Sequence, residues 1–381
     1  MKDIGNIRSE IDSIDRELVR LFQRRLEIVG QVAASKQERG APVTDPARER
    51  DILSRVTADV GPEYENGARL FFSTLFSIAK ARQRSMLLGE SSLVDSIRAA
   101  AAKGQRFPNR AVVACAGTEG SYAQEAVSIM FPLPTILYFN GFEAVFEAVE
   151  QGLCPYGILP VENSAAGSVP AVYDMMVRHR FHIVRSLRLK VDHVLLAPRG
   201  VALADIREIT SHPHALAQCG AFLRAHPGIK STPGPNTAVA AKALAASGRR
   251  DMAVIASRAC AELYGLDVLA EGISDATFNY TRFMCISKNL EIYPDAGKFS
   301  IMLSLPHRPG ALSGLIAKFA AIDVNLTKLE SRPIPGMDFE FRFTFEFEAP
   351  PTDSAVLALL SELSQDPAIE HFTFLGAYAE R

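Results

Sequence analysis

Apolar residues at Ile4, Ile7, Ile11, Ile14, Leu18, Leu21, Ile28 and Val32 keep a three-four spacing with no proline between them. That spacing predicts one long helix with a packing seam. Gly40-Ala41-Pro42 ends it, Asp45 is placed to cap a second helix with Pro46 at its first position, and Ile52, Leu53 and Val56 resume the period. After the break at Gly61-Pro62 a third helix is predicted from Asn66 to Gln83, with Leu70, Phe71, Leu75 and Ile78 inward. Residues 84–109 are rich in alanine and flanked by Lys and Arg, and read as a connector, with helix open to it as well as plain linker. Short β-branched runs then alternate with amphipathic ones. Strands are predicted at Ala111 to Cys115, Thr135 to Phe139, Tyr156 to Pro160, His182 to Leu187, His193 to Ala197, Glu208 to Ser211, Met252 to Ala256 and Met284 to Ser287. This is an α/β region sized for two lobes, with Leu189-Lys190-Val191-Asp192 as a crossing between them. From Lys298 the order is strand, helix, strand, strand, helix, strand. In its third strand Phe339, Phe341, Phe343, Phe345 and Phe347 take one face, and Glu340, Arg342, Thr344, Glu346 and Glu348 the other. A period of two predicts a half-buried strand in a ferredoxin-like module.

Three periods thus divide 381 residues into a multidomain chain: an all-α helical domain at 1–88, a linker at 89–109, a two-lobed α/β domain at 110–290 and an α+β ferredoxin-like domain at 298–381. The bulk numbers narrow its surroundings. A net charge of -2 exerts no general pull on nucleic acid or an anionic membrane, and no apolar run approaches the roughly 20 residues that span a bilayer. Met1-Lys2-Asp3-Ile4 opens directly into charged helix, without an export signal. The five cysteines are scattered and never spaced Cys-x-x-Cys, which favours reduced thiols in a cytoplasmic protein, without disulfides or zinc.

In the helices, cations stand where a seam should be apolar. Arg25 falls between Leu21 and Ile28, Arg8 lies beside the same seam, and Lys36 follows further along. A cation on a buried seam needs a partner. Arg8 and Arg25 are 17 residues apart, about 25 Å on a straight helix. Either they serve different partners, or a second copy brings its Arg8 to the site around Arg25. Asp45, Arg48 and Glu49 share a face of the second helix, and Gln83 follows Ala79 by one turn on the third. Taken alone these remain readable as solvated helix charges. Together, Arg8, Arg25, Lys36, Asp45, Arg48, Glu49 and Gln83 resemble the all-helical chorismate mutase family, whose site is shared across an intertwined dimer. The resemblance implies that Arg8 and Arg25 clamp the carboxylates of chorismate, with Arg48 assisting. Lys36 and Gln83 would stabilise the ether oxygen, and Asp45 and Glu49 would hold the ring hydroxyl. A one-molecule rearrangement of this kind asks for no nucleophile, cofactor or metal. Ala79 departs from the Ser of many relatives.

In the α/β region, Gly117-Thr118-Glu119-Gly120-Ser121-Tyr122 joins a strand to a helix, where backbone N–H groups can cradle an anion. Glu162, Asn163 and Ser164 follow a strand, Ser211 precedes a helix carrying Gln218, and Asn279-Tyr280-Thr281-Arg282-Phe283 leads into a strand. His212 and His214 lack a third ligand cluster for a metal, and Cys219 lacks any sign of an activated thiolate. Jointly the loops resemble prephenate dehydratase, which implies Glu162, Asn163, Ser164, Ser211, Gln218 and Arg282 at prephenate and Thr281 as the catalytic residue. Thr118 and Ala123 depart from the family pattern.

The C-terminal module carries Arg308-Pro309-Gly310-Ala311-Leu312 at its first helix and Glu330-Ser331-Arg332-Pro333 at its second strand end. It resembles the ACT regulatory domain, implying that Gly310, Ala311, Leu312, Glu330, Ser331 and Arg332 bind L-phenylalanine as an allosteric ligand between paired copies. The three resemblances imply a bifunctional, phenylalanine-inhibited enzyme: a mutase (isomerase) taking chorismate to prephenate, and a dehydratase (lyase) taking prephenate to phenylpyruvate with loss of water and CO2. It would work as a homodimer or dimer of dimers. The alternative is a monofunctional prephenate dehydratase, or an amino-acid sensor, whose helices only dimerise.

Overall fold

The computed structural model describes residues 3–276, 278–334, 336 and 340–381. Met1, Lys2 and Phe339, which entered the readings above, lie outside them. Three helices open the chain, α1 (Ile4–Arg39), α2 (Pro46–Asp59) and α3 (Glu65–Leu88), followed by α4 (Ser92–Ala102). The first α/β lobe runs β1 (Arg110–Ala116), α5 (Tyr122–Met130), β2 (Leu133–Phe139), α6 (Phe142–Glu150), β3 (Tyr156–Asn163), β4 (Gly167–Ser168), α7 (Pro170–His179) and β5 (His182–Lys190). Residues 191–192 lead into the second lobe, where the predicted crossing falls. There β6 (His193–Pro198), β7 (Glu208–Ser211), α8 (Pro213–Gln218), α9 (Gly220–Ala225), β8 (Lys230–Pro233), α10 (Thr237–Ser247), β9 (Met252–Ser257), α11 (Ala259–Tyr264) and β10 (Leu266–Ala270) follow. Beyond β10 the chain returns to the first lobe as β11 (Tyr280–Ser287). The C-terminal module is β12 (Lys298–Ser304), α12 (Ala311–Ala321), β13 (Leu326–Pro333), β14 (Phe341–Glu348), α13 (Ser354–Gln365) and β15 (Glu370–Glu380). Its strand order β13-β14-β12-β15 is that of a ferredoxin-like sheet.

By packing, the chain forms two compact units. One comprises Met1–Ser96, Leu303–Phe343 and Thr352–Phe372, and the other Ile97–Met302, Thr344–Pro351 and Thr373–Arg381.

In the first unit the helices are capped as their sequence demands. The Asp45 side chain accepts from Arg48 N–H at the start of α2, and Gly40 closes α1 at a φ of 62°. On α1 only Ala33 is buried, and the seam residues Ile4, Ile7, Ile11, Ile14 and Leu18 are exposed, Ile4 by 65%. Leu70, Phe71 and Ile78 are exposed too, correcting their inward assignment, while Leu75, Phe76, Ala79 and Gln83 take the buried face of α3. The helical period was right, but among the described residues nothing buries the apolar seam of the first half of α1. The connector is helical in part and packed: Arg84 is buried on α3, where it reaches Asp366 on α13 at 2.8 Å, and α4 buries Val94 and Ile97.

In the second unit the strands of the first lobe are apolar on both faces. Phe283 and Cys285 enter a core with Val113, Phe131 and Ile158. Met284 and Ile286 enter another with Phe146, Tyr173 and Tyr378. Such burial suits a sheet covered on both sides. β15 continues this sheet alongside β5, pairing Ala379 with Arg185. Gly376 passes so close that an added Cβ would sit 2.2 Å from the Ile183 carbonyl oxygen. β14 departs from the half-buried pattern: Phe345 and Phe347 are buried on one face, and Thr344 and Glu346 on the other. The second lobe holds the sheet β10-β6-β9-β7-β8, of which β8 and β10 were not predicted. No helix among the described residues is long and apolar enough to cross a membrane.

Candidate active sites

β3 and β11 are antiparallel neighbours in which Thr281 stands opposite Asn163, and Arg282 opposite Glu162. Successive strand residues face opposite sides, so the two pairs serve different faces. On the Thr281 face, Asn163 Nδ2 lies 3.0 Å from Thr281 Oγ1 and 2.9 Å from Asn279 Oδ1. Asn163 Oδ1 accepts the N–H groups of Ala165 and Ala166, both at 3.0 Å. That turn fixes the amide, so only its NH2 can face Thr281. Thr281 Oγ1 is therefore an acceptor from Asn163, and its own proton is left to donate. Asn279, itself buried, donates from Nδ2 to Gln218 Oε1 at 3.1 Å, and the same oxygen lies 3.0 Å from His193 Nε2. Tyr122 Oη lies 2.8 Å from the Asp192 carbonyl oxygen and 3.1 Å from His193 Nδ1, with one proton to give to either. Burial pulls the His193 pKa down, against the opposing pull of Gln218 and Asp192, which favours a neutral ring. Ser164 Oγ donates to Phe278 O and accepts from Tyr280 N, holding the loop that carries Asn279.

The other face corrects the expectation for Arg282. Its side chain is only 6% exposed: Nη1 lies 2.7 Å from Glu346 Oε2, Nη2 donates to Tyr378 Oη at 2.8 Å, and Nε is 2.8 Å from Glu380 Oε2. Burial acts to lower its pKa, but Tyr378, Glu346 and Glu380 outweigh that and hold the cation. Arg282 thus seats β11 against β14 and β15 and does not join Thr281 at a ligand. Glu162 goes with it, 3.8 Å from Arg282 Nη1. Ser211 is also corrected, because it is wholly buried and its hydroxyl donates to the Ile255 carbonyl at 2.6 Å. In the first loop, Gly120 O accepts from Ser257 Oγ at 2.7 Å, and Glu119 O accepts from Tyr264 at 2.8 Å. With a φ of 82° and a virtual Cβ 2.7 Å from Cys260 Sγ, Gly120 admits no side chain. The loop's carbonyls tie the two lobes together.

In the helical unit the predicted residues are spread out. An open pocket of about 490 Å3 is lined by Leu21, Arg24, Arg25, Ile28, Val29, Val32 and Arg48. It unites Arg25 with Arg48 and adds Arg24, which the sequence reading missed. Arg25 Nη1 reaches the Leu75 carbonyl at 3.4 Å, and its guanidinium lies 5.8 Å from the Phe76 ring centre. Lys36 Nζ donates to Val43 O at 2.6 Å, Asp45 caps α2, and Glu49 pairs with Lys80 at 3.1 Å. Gln83 is buried, and its Oε1 has no partner among the described residues. Arg8 lies on the exposed half of α1.

Comparison with known proteins assigns these regions. The profile described as prephenate dehydratase matches residues 113–291, and that of chorismate mutase type II matches residues 7–84. Arogenate dehydratase/prephenate dehydratase 1, chloroplastic, of Arabidopsis thaliana is 37% identical over 69% of this chain and 70% of its own length. The chain belongs to the prephenate dehydratase family. The bifunctional chorismate mutase/prephenate dehydratase of Escherichia coli K12 is 27% identical over 94% of this chain and 92% of that protein. Among solved structures, the prephenate dehydratase of Arthrobacter aurescens in complex with L-Phe superposes with a TM-score of 0.63, at 32% identity over 70% of this chain and 89% of that one. The protein is thus an enzyme with a chorismate mutase domain ahead of a prephenate dehydratase domain.

Beyond the dehydratase match, Gly310 caps α12 at a φ of 84°, with Ala311 and Leu312 in its first turn. Glu330 and Arg332 pair at 3.2 Å on β13, with Ser331 exposed between them. Within the dehydratase domain itself, Asn279 and Tyr122 stood in quoted motifs without a role of their own, and His193 was missed. Only their meeting at the two lobe crossings marks them, and no local spacing signals it.

Proposed function

We propose that Thr281 drives loss of water in the dehydratase domain by donating its hydroxyl proton in a hydrogen bond to the ring hydroxyl of prephenate. The observation that carries this is the backbone-anchored Asn163 amide, which occupies Thr281 Oγ1 as an acceptor and leaves that proton outward. As the ring carboxylate leaves as CO2, its bonding pair enters the ring and the C–O bond breaks. The departing oxygen takes up a proton and leaves as water, giving phenylpyruvate. The gain of aromaticity drives the step, and the protein's part is to ease hydroxide departure. Gln218 supplies a second donor for a substrate carboxylate.

The helical domain makes that prephenate from chorismate, with the guanidiniums of Arg24, Arg25 and Arg48 facing the carboxylates and the pocket's aliphatic side chains facing the ring. Because the chain carries its own mutase, prephenate, not the amino acid arogenate named in its plant relative, is the substrate we assign. The exposed seam of α1 fits a second copy, which brings Arg8 to this pocket in a homodimer. The C-terminal module is read as an ACT domain that binds L-phenylalanine at the Gly310 corner and β13, in line with the L-Phe complex of the Arthrobacter enzyme. All five cysteines are unpaired and buried, in keeping with a cytosolic setting.

Purified protein given chorismate should yield phenylpyruvate with transient prephenate, and added L-phenylalanine should slow the second step. Prephenate that accumulates without phenylpyruvate would refute the dehydratase reading. A rate indifferent to phenylalanine, with no heat of binding, would refute the regulatory one. Gly310→Val forces a β-branched residue into positive φ and should weaken the response while leaving the uninhibited rate intact.

A further inference from the structure

His193 is 3% exposed and lies on the opposite lobe from Thr281, at the point where the chain first crosses. Between them runs a chain of three amides whose orientations are not independent. Asn163 is fixed by the N–H groups of Ala165 and Ala166, so its NH2 gives to Asn279 Oδ1. Asn279 must then give from Nδ2 to Gln218 Oε1. With Gln218 Oε1 committed as an acceptor, the His193 Nε2 that lies 3.0 Å away has to carry a proton. Were Nε2 bare, Gln218 would turn its NH2 toward the ring and face the Asn279 donor with another donor. Both lone pairs of Gln218 Oε1 are occupied, and its NH2 has no protein acceptor among the described residues. The array therefore ends in two outward donors, the Thr281 hydroxyl and the Gln218 amide, one held from each lobe.

We propose that His193 is a positioning residue for dehydration: its Nε2–H locks the Gln218 amide with the NH2 free for a substrate carboxylate. In the neutral ring Nδ1 is then bare, so Tyr122, whose single hydroxyl proton can serve either the Asp192 carbonyl or Nδ1, turns it to Nδ1 and holds the ring in place from the first lobe. This rests on the dehydratase reading above for its catalytic consequence, but the tautomer it requires does not.

His193→Leu should lower dehydratase kcat/KM by roughly ten- to a hundredfold, the range for stranding one buried hydrogen-bonding group. His193→Gln, whose amide can still donate to Gln218 Oε1, should recover most of that loss. The mutase rate on chorismate should be unchanged in both and reports on folding. Gln218→Leu should abolish the effect, so that the double variant with His193→Leu is no slower than Gln218→Leu alone. Equal rates for the Leu and Gln variants at 193, or additive losses in the cycle, would overturn the proposal. Long-range 15N–1H correlations of histidine-labelled wild-type protein, assigned with His193→Gln, read the ring without turnover. Protonation at Nε2 is the expected result, and protonation at Nδ1 alone overturns the proposal whether or not prephenate is a substrate.

Discussion

In the dehydratase lobes, Thr281, Asn163, Asn279, Gln218 and His193 are linked by hydrogen bonds of 3.1 Å or less inside a single chain. In the helices, Arg25 and Arg48 share a pocket, while Lys36 is tied to Val43, Glu49 to Lys80, and Arg8 stands on an exposed stretch of α1. The difference follows from the elements that carry each site. Strand ends and crossings gather residues distant in sequence into one corner. A 36-residue helix, about 54 Å long, spreads its residues beyond the reach of any single ligand. A sheet site can be complete in one protomer, whereas a site on long helices must draw on other helices, which is why we propose a second copy against the exposed seam.

Independence of the two sites is the strongest consequence. Thr281→Ala should lower phenylpyruvate formation by about a hundredfold or more, the range of general acid assistance, with chorismate consumption unchanged. Steady-state assays of the two steps on one preparation check this. A fall in both would mean the sites are coupled through folding, and a retained dehydratase rate would remove Thr281 from the chemistry.

Next in size is the anchorage of β11. Glu346→Leu leaves the buried Arg282 without its closest carboxylate, which typically costs about 3–5 kcal/mol. Thermal or urea unfolding of the dehydratase domain should register that loss. Deletion of residues 298–381 removes Met302, Leu375 and Tyr378 from the core they share with Met284 and Ile286, so it should be more harmful to dehydration than the point substitution. If Glu346→Leu is as stable as wild type, the Arg282 cluster does not hold the strand.

How legible all this was in the sequence varied with how local the cause is. Strands such as Glu208–Ser211 follow from their own residues, and so do the Asp45 cap and the long first helix. Leu70 and Phe71 were assigned inward because period alone says that a face is apolar, not what covers it. Alternation along β11 already places Arg282 opposite Thr281; the shared motif obscured that signal. Burial of Glu346 could not be read locally, since its partner Arg282 lies 64 residues away. His193 is similar: its role depends on a local turn at Asn163 fixing three amides in succession, and the contacts that link those amides to one another and to the ring are all distant in sequence.

A smaller effect concerns acid. Burial acts to raise the Glu380 pKa, but Arg282, Lys298 and Arg188 outweigh it, and the net shift is downward. An acid with a depressed folded pKa contributes stability above its unfolded value, near 4.3, and loses it as pH falls through the folded value. Glu380→Gln should therefore flatten the acid limb of the unfolding curve while leaving the limb above neutrality unchanged. An unaltered acid limb would place the titrating group elsewhere.

The contrast between a site finished in one chain and one shared by two is tested most directly by mixing two dead mutases. Arg8→Ala and Arg25→Ala should each lack mutase activity as pure proteins and keep dehydration. Unfolded together and refolded at equal concentration, about half the dimers are hybrid, each with one site holding both arginines, so about a quarter of wild-type mutase activity should return. A mixture as inactive as its parents, with hybrids present by native mass spectrometry, would contradict the account.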